Sequence, residues 1–132
     1  MAAVKDAKVI GAPFSNAVEV VKVKFDSAVD GLVQADLDLL TAEDDVILKL
    51  VGFKVAAAVT SGGSAVFDLG VGVGGVQMAS NLAITGFTLG AFVAAPVESY
   101  IKLAAGQKLV LGIEVADLTA GAFEVVLHKM AF

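Results

Sequence analysis

Along most of this chain apolar and polar residues alternate with a period of two, and valine is the commonest apolar filler. Such alternation marks strands with one buried and one wet face, where β-branched side chains suit the pleated surface. Val21, Val23 and Phe25 oppose Lys22, Lys24 and Asp26, while Val18 and Val20 flank Glu19 in the other phase. That slip predicts a β-bulge near Val20 and Val21. After a turn at Val29-Asp30-Gly31, Val33, Ala35, Leu37 and Leu39 alternate with Gln34, Asp36 and Asp38. The run Val46 to Val59 changes phase between the pair Leu48, Leu50 and the set Val51, Phe53, Val55. Its length predicts a strand that bends and passes from one sheet to another.

Ser61-Gly62-Gly63-Ser64 reads as a turn, followed by a strand through Phe67, Leu69 and Val71. Gly72 to Pro96 carries little periodicity and predicts one short strand and a helical turn near Met78 to Ala83. Clear alternation resumes with Val97, Ser99, Ile101 and Leu103. Leu109, Leu111, Ile113 and Val115 follow, and then Phe123, Val125 and Leu127, the last two runs reading as a hairpin pair. About eight short strands with turn signals between them and no helical period describe an all-β protein, an antiparallel, jelly-roll-like β-sandwich. Residues 1–16 lack alternation and contain Gly11 and Pro13, so an extended N-terminal arm is expected before a sandwich domain over residues 17–132.

Residues of the AVILMFWYC set make up 58% of the 132 residues, above the average of about 45–50% for soluble domains even with glycine counted. One domain of this length hides only about two-thirds of its unfolded surface, so part of the apolar excess is expected in an interface between chains. Assembly with other chains therefore suits this composition better than catalysis does. The 29 residues Leu69 to Val97 carry no charge, enough in length for a spanning helix. Seven interruptions by glycine and proline, among them Gly72, Gly74, Gly75 and Pro96, favour a buried strand-and-loop region, and no membrane partner is expected. The segment Met1 to Gly11 holds Lys5, Asp6 and Lys8 and does not read as a secretory signal, so synthesis in the cytoplasm is expected.

The chain has no cysteine, which removes thiol nucleophiles, thiolate metal sites and disulfides together. Net charge is −5, and all nine basic residues are lysines. Phosphate and base recognition lean on the arginine fork and on a clustered basic face, so no nucleic-acid partner is expected. Gly70-Val71-Gly72-Val73-Gly74-Gly75 satisfies the GxGxxG pattern. A dinucleotide loop, however, needs a parallel βαβ unit, and the neighbouring segments read as antiparallel strands. Asp36, Asp38, Glu43, Asp44 and Asp45 raise a calcium reading, but Leu40 occupies the place of a third ligand in a calcium loop begun at Asp36, and no glycine follows it. The solvent face of a strand and a charged loop explain these acids more simply. His128, the single histidine, has Glu124 four residues away on the same strand face and no positioned nucleophile. No catalytic residue, metal or cofactor is therefore expected.

The outward positions of the late strands are Tyr100, Val110, Gly112, Val126 and Met130, less polar than solvent requires. Together with Pro13 and Phe14 of the arm, Tyr100, Val110, Val126 and Met130 are the expected interface residues. A covering loop, the glycine-rich segment, is the competing explanation.

Three stretches carry a resemblance: Val23-Lys24-Phe25-Asp26-Ser27-Ala28-Val29-Asp30-Gly31, Val59-Thr60-Ser61-Gly62-Gly63-Ser64-Ala65, and Ala116-Asp117-Leu118-Thr119-Ala120-Gly121-Ala122-Phe123-Glu124-Val125. With the strand rhythm between them, most of residues 17–131 resembles the small β-sandwich virion proteins of tailed bacteriophages, of the head decoration or cement type. The resemblance implies a jelly-roll-like fold, self-association, binding to the major capsid protein lattice on the capsid surface, and stabilisation of the assembled shell, with no catalytic residues to carry over. The charged N-terminal arm and the Gly72 to Pro96 region depart from the pattern. A carbohydrate- or receptor-binding jelly-roll module of a phage tail or fibre is the alternative, disfavoured by the absence of tryptophan and the single tyrosine.

Overall fold

In a computed structural model, the structure describes residues 19–26, 36–97 and 100–131. Among the described residues nine strands form two antiparallel sheets: β1 (Glu19–Asp26), β2 (Asp36–Thr41), β3 (Val46–Ser61), β4 (Val66–Val71), β5 (Ala79–Ala83), β6 (Phe92–Ala94), β7 (Tyr100–Leu103), β8 (Lys108–Glu114) and β9 (Leu118–Ala131). The first sheet runs β1-β9-β3, with β6 and β7 both on the far edge of β3; the second runs β2-β8-β4-β5. Among the described residues the only helical element is one 3-10 turn at Ile84–Gly86, and no helix is long and apolar enough to cross a membrane.

The pairings β1 with β9, β2 with β8, β3 with β6 and β7, and β4 with β5 nest inside one another, like the rungs of one long hairpin whose tip is the β4–β5 connection. Two further pairings, β3 with β9 and β4 with β8, wrap that hairpin round into two sheets. This is jelly-roll winding. β6 and β7 act as one interrupted edge strand: Gly52 to Lys54 of β3 face Ala94 to Phe92, and Val46 to Lys49 face Leu103 to Tyr100.

Period-two burial makes the sandwich. Val23 and Phe25 of β1, Phe123, Val125 and Leu127 of β9, and Leu109, Leu111 and Ile113 of β8 all turn inward. At the centre Phe53, Phe67, Phe87 and Phe123 form a mutual cluster with ring centroids 5.1–6.4 Å apart, joined through Phe123 by Phe25. Ring pairs at such distances contribute about 0.5–1.5 kcal/mol beyond their area burial.

Four expectations change. β1 pairs with β9 without a register shift, so there is no bulge near Val20; Val20 simply points outward, because an apolar residue is free to occupy the wet face. β3 stays in the first sheet, and its phase change is a bulge: Leu50 faces Leu127, Gly52 faces Val126, and Val51 is the inserted residue. Residues 79–83 are strand rather than a helical turn, the turn coming afterwards at Ile84–Gly86. Finally, β8 and β9 are no hairpin, since they belong to different sheets. β8 ends at Glu114, and Val115 is exposed with φ +76° where the chain leaves for the other sheet.

Candidate functional site

The two outer faces of the sandwich differ in chemistry, and this difference is the most distinctive surface feature of the described residues. On the first sheet the outward positions of adjacent strands fall into transverse rows. One row is Val20, His128, Lys49 and Tyr100; another is Lys24, Glu124, Lys54 and Phe92. Lys22 and Lys102 complete a set of five lysines on this face, opposed by Asp26 and Glu124. Val20, Phe92 and Tyr100 are exposed between the charges, and Ile47, Val126 and Met130 are half-buried. Lys49 Nζ lies 5.5 Å from the centroid of the Tyr100 ring, within reach of a cation-π contact. The Phe92 ring covers Gly52: a Cβ there would sit 2.5 Å from Phe92 Cζ and 2.4 Å from the Val93 carbonyl oxygen, so only glycine admits the ring.

The outer face of the second sheet is acidic. Asp36 and Asp38 of β2, Asp68 of β4 and Glu114 of β8 point away from the core. Around Gly112 they converge: a Cβ at that position would lie 3.2 Å from Asp36 Oδ1 and from Glu114 Oε1, and 3.7 Å from Asp68 Cβ. Asp68 Oδ1 accepts a hydrogen bond from the Asn81 amide at 2.7 Å, and Lys108 pairs with Asp38 at 3.1 Å. No group of three metal-ligating side chains able to hold an ion occurs among the described residues.

The expected interface residues are divided by this architecture. Tyr100, 50% exposed, shares the first sheet's outer face with Val126 and Met130. Val110 lies on the other sheet and is only 3% exposed. Beside it the glycine loop folds over β4, where a Cβ on Gly70 would meet Gln77 Oε1 at 2.0 Å and the backbone of Gly75 at 2.6 Å. Gln77 holds the loop by accepting from the Val71 amide at 2.9 Å. The covering-loop explanation therefore fits the surroundings of Val110, and the late strands do not form one patch, because their outward residues belong to opposite sides of the sandwich. Pro13 and Phe14, with the rest of the arm, lie outside the described residues.

The remaining motifs take structural places. Gly70 is an outward position of β4, while Gly72 and Gly74 have φ +74° and +79° in a turn that leads to antiparallel β5, so no helix N-terminus follows the GxGxxG pattern. Glu43, Asp44 and Asp45 are exposed, and Asp45 Oδ1 accepts from the Ala105 amide at 2.9 Å, tying the β2–β3 loop to the β7–β8 turn. His128 is half-buried on the outer face between Val20 and Lys49. Ser61 Oγ accepts from the amides of Gly63 and Ala65, closing the glycine turn after β3.

Sequence reasoning missed two features. The lysines of the first sheet's face are scattered from position 22 to position 102 and become neighbours only through strand order. An open cleft of about 430 Å³ also lies between the end of β3, the turn after it and the 3-10 turn; Ala58, Val59, Ile84 and Phe87 line it, with the hydroxyl-bearing Thr60 and Thr85.

No family model matches the chain, and no curated protein matches it. Among solved structures the chain is similar to a chain from the capsid of Ralstonia phage GP4, with a TM-score of 0.49 and 15% identity, covering 97% of this chain and 94% of that one. That likeness assigns no role to any residue here.

Proposed function

We propose that this chain is a structural protein of a bacteriophage virion, a head decoration or cement protein that binds and stabilises the assembled capsid. The observation that carries the reading is the first sheet's outer face, where Val20, Phe92 and Tyr100 are exposed on a rigid sandwich. Between them lie the half-buried Ile47, Val126 and Met130, and the mixed apolar and charged face that results suits association with another protein surface. The jelly-roll winding and the three stretches that resemble decoration proteins support the same reading. The mechanism is linkage: a ligand of the assembled shell that does not bind its dispersed subunits stabilises the shell in proportion to the logarithm of its concentration over Kd. No reaction is required.

The test adds purified chain to capsids lacking it and measures occupancy and the temperature of shell disruption. Saturable occupancy with a raised disruption temperature is expected, and the Val20→Ser/Tyr100→Ser variant should bind more weakly with an unchanged melt of its own. Absent occupancy by the folded wild type refutes the proposal. The cleft beside Thr60 and Thr85 favours a second reading, a carbohydrate- or receptor-binding module. Hydroxyl donors over an apolar floor suit a small polar ligand, and binding on a glycan array would select this reading.

A further inference from the structure

The two outer faces are complementary to each other. The first sheet presents five lysines against Asp26 and Glu124, and the second presents Asp36, Asp38, Asp68 and Glu114 against Lys108. Each face thus carries an excess of one sign, and a surface of the opposite sign complements it. Apolar residues accompany both sets: Phe92 and Tyr100 on the basic face, Val73 and Val76 exposed on the loop that folds over Gly70 of the acidic one. We propose that copies of this chain associate heterologously, the basic outer face of the first sheet of one copy docking on the acidic outer face of the second sheet of the next. This rests on the virion reading and deepens it by naming a second copy as the partner of that face: copies docked on one another reinforce each other's hold on a shell, so weakening the face weakens capsid binding through lost avidity.

Size and chemistry fit. Four strand positions about 4.8 Å apart and about eight residues of about 3.4 Å give a footprint of roughly 500 Å², which side-chain relief brings toward the ~800 Å² per partner of a standard interface. An isologous contact would set like charges against like, at a cost of several kcal/mol. A heterologous contact pairs opposite charges and leaves a free face of each kind at the ends, so it propagates into a ring or an open stack. A polyanion is the rival occupant of the basic face. The apolar side chains between the amines, the absence of arginine from the whole sequence and the carboxylates of Asp26 and Glu124 on the same face favour a protein surface.

Two charge-reversed forms of the full chain test this. In one, Lys22→Glu and Lys54→Glu make both faces acidic; in the other, Asp36→Lys and Asp68→Lys make both basic. Light scattering coupled to size exclusion should find wild type in concentration-dependent oligomers that weaken by about tenfold or more between low salt and ~0.5 M NaCl, where screening shortens to within about 5 Å. Each reversed form alone should be monomeric with a wild-type circular dichroism spectrum, and an equimolar mixture should associate again. If a reversed form fails to fold, the neutral Lys22→Gln/Lys54→Gln and Asp36→Asn/Asp68→Asn pair replaces it, each alone associating at least tenfold more weakly than wild type. A wild type monomeric throughout, reversed forms that associate alone as wild type does, or a mixture that stays monomeric overturns the proposal. Retardation of a random-sequence DNA duplex by monomeric wild type overturns it in favour of a polyanion. The assay contains no capsid: a monomer that still occupies capsids refutes only this inference, and an oligomer that never occupies them refutes only the virion reading.

Discussion

Phe87 sits in the segment whose sequence carries least periodicity, yet it is 1% exposed, with ring centroids 5.1 Å from Phe53, 5.2 Å from Phe67 and 5.7 Å from Phe123. Two residues on, Leu89 is 75% exposed. Truncating a buried phenylalanine to alanine costs about 3–5 kcal/mol through lost transfer energy and the cavity left behind. Three ring partners, each contributing about 0.5–1.5 kcal/mol in other proteins but not additively, place Phe87→Ala near the upper end, at about 4–5 kcal/mol. A domain of 132 residues at about 0.05–0.15 kcal/mol per residue has roughly 7–20 kcal/mol in all. Phe87→Ala should thus remove about a fifth or more of the stability, moving the urea midpoint down by about 2 M for a slope near 2 kcal/mol/M. Leu89→Ala should stay within about 0.5 kcal/mol. Equilibrium urea unfolding followed by far-ultraviolet circular dichroism measures both. A Phe87→Ala loss below about 1 kcal/mol, far under the range of buried phenylalanines, would refute the argument that Phe87 is a core ring held by its three partners.

Other perturbations separate the local causes of stability. Gly121 has φ +129°, and a Cβ on it would lie 2.7 Å from Val59 Cα and 3.1 Å from the Ala58 carbonyl oxygen; Gly121→Ala should cost about 2–4 kcal/mol. Gly106, with φ +87° and open space around it, should lose only about 1–2 kcal/mol as alanine, and thermal melts of the two variants compare them directly. Lys129 turns inward on β9, 1% exposed, with its ammonium 3.3 Å from Glu19 Oε2. Lys129→Met should leave stability within about 1 kcal/mol of wild type or raise it, whereas Glu19→Ala, which strips a carboxylate from a buried ammonium, should cost about 1–3 kcal/mol, less than a fully buried pair because Glu19 is part-exposed; chemical denaturation checks the order. Val115 is a β-branched residue at φ +76° and exposed. Val115→Asn, which tolerates that conformation, should raise stability by about 1 kcal/mol, read as a higher melting temperature.

What the sequence determined by itself was the class of structure and most of the inward set. Alternation is local, so it located Val23 and Phe25, Leu109, Leu111 and Ile113, and Phe123, Val125 and Leu127 on buried faces; the phase change at Leu50 and Val51 was visible too, but that it is a bulge and not a change of sheet came only with the strand pairing. It failed where the cause is not local. Strands β5 and β6 are five and three residues long on sheet edges, too short for a period to show, and the helical turn expected at 78–83 gave way to β5. The hairpin expected between the last two long strands failed because adjacency in sequence does not choose between pairing within a sheet and crossing to the other one. That choice is made by the winding of the whole chain, and it had consequences for the surface. It moved Val110 and Gly112 to one side of the sandwich and Tyr100, Val126 and Met130 to the other. It also gathered lysines from three strands on one face and carboxylates from three on the opposite one. A side chain's neighbour along a strand is fixed by the pleat, but its neighbour across strands is fixed only by register, which exists once the tertiary structure has formed.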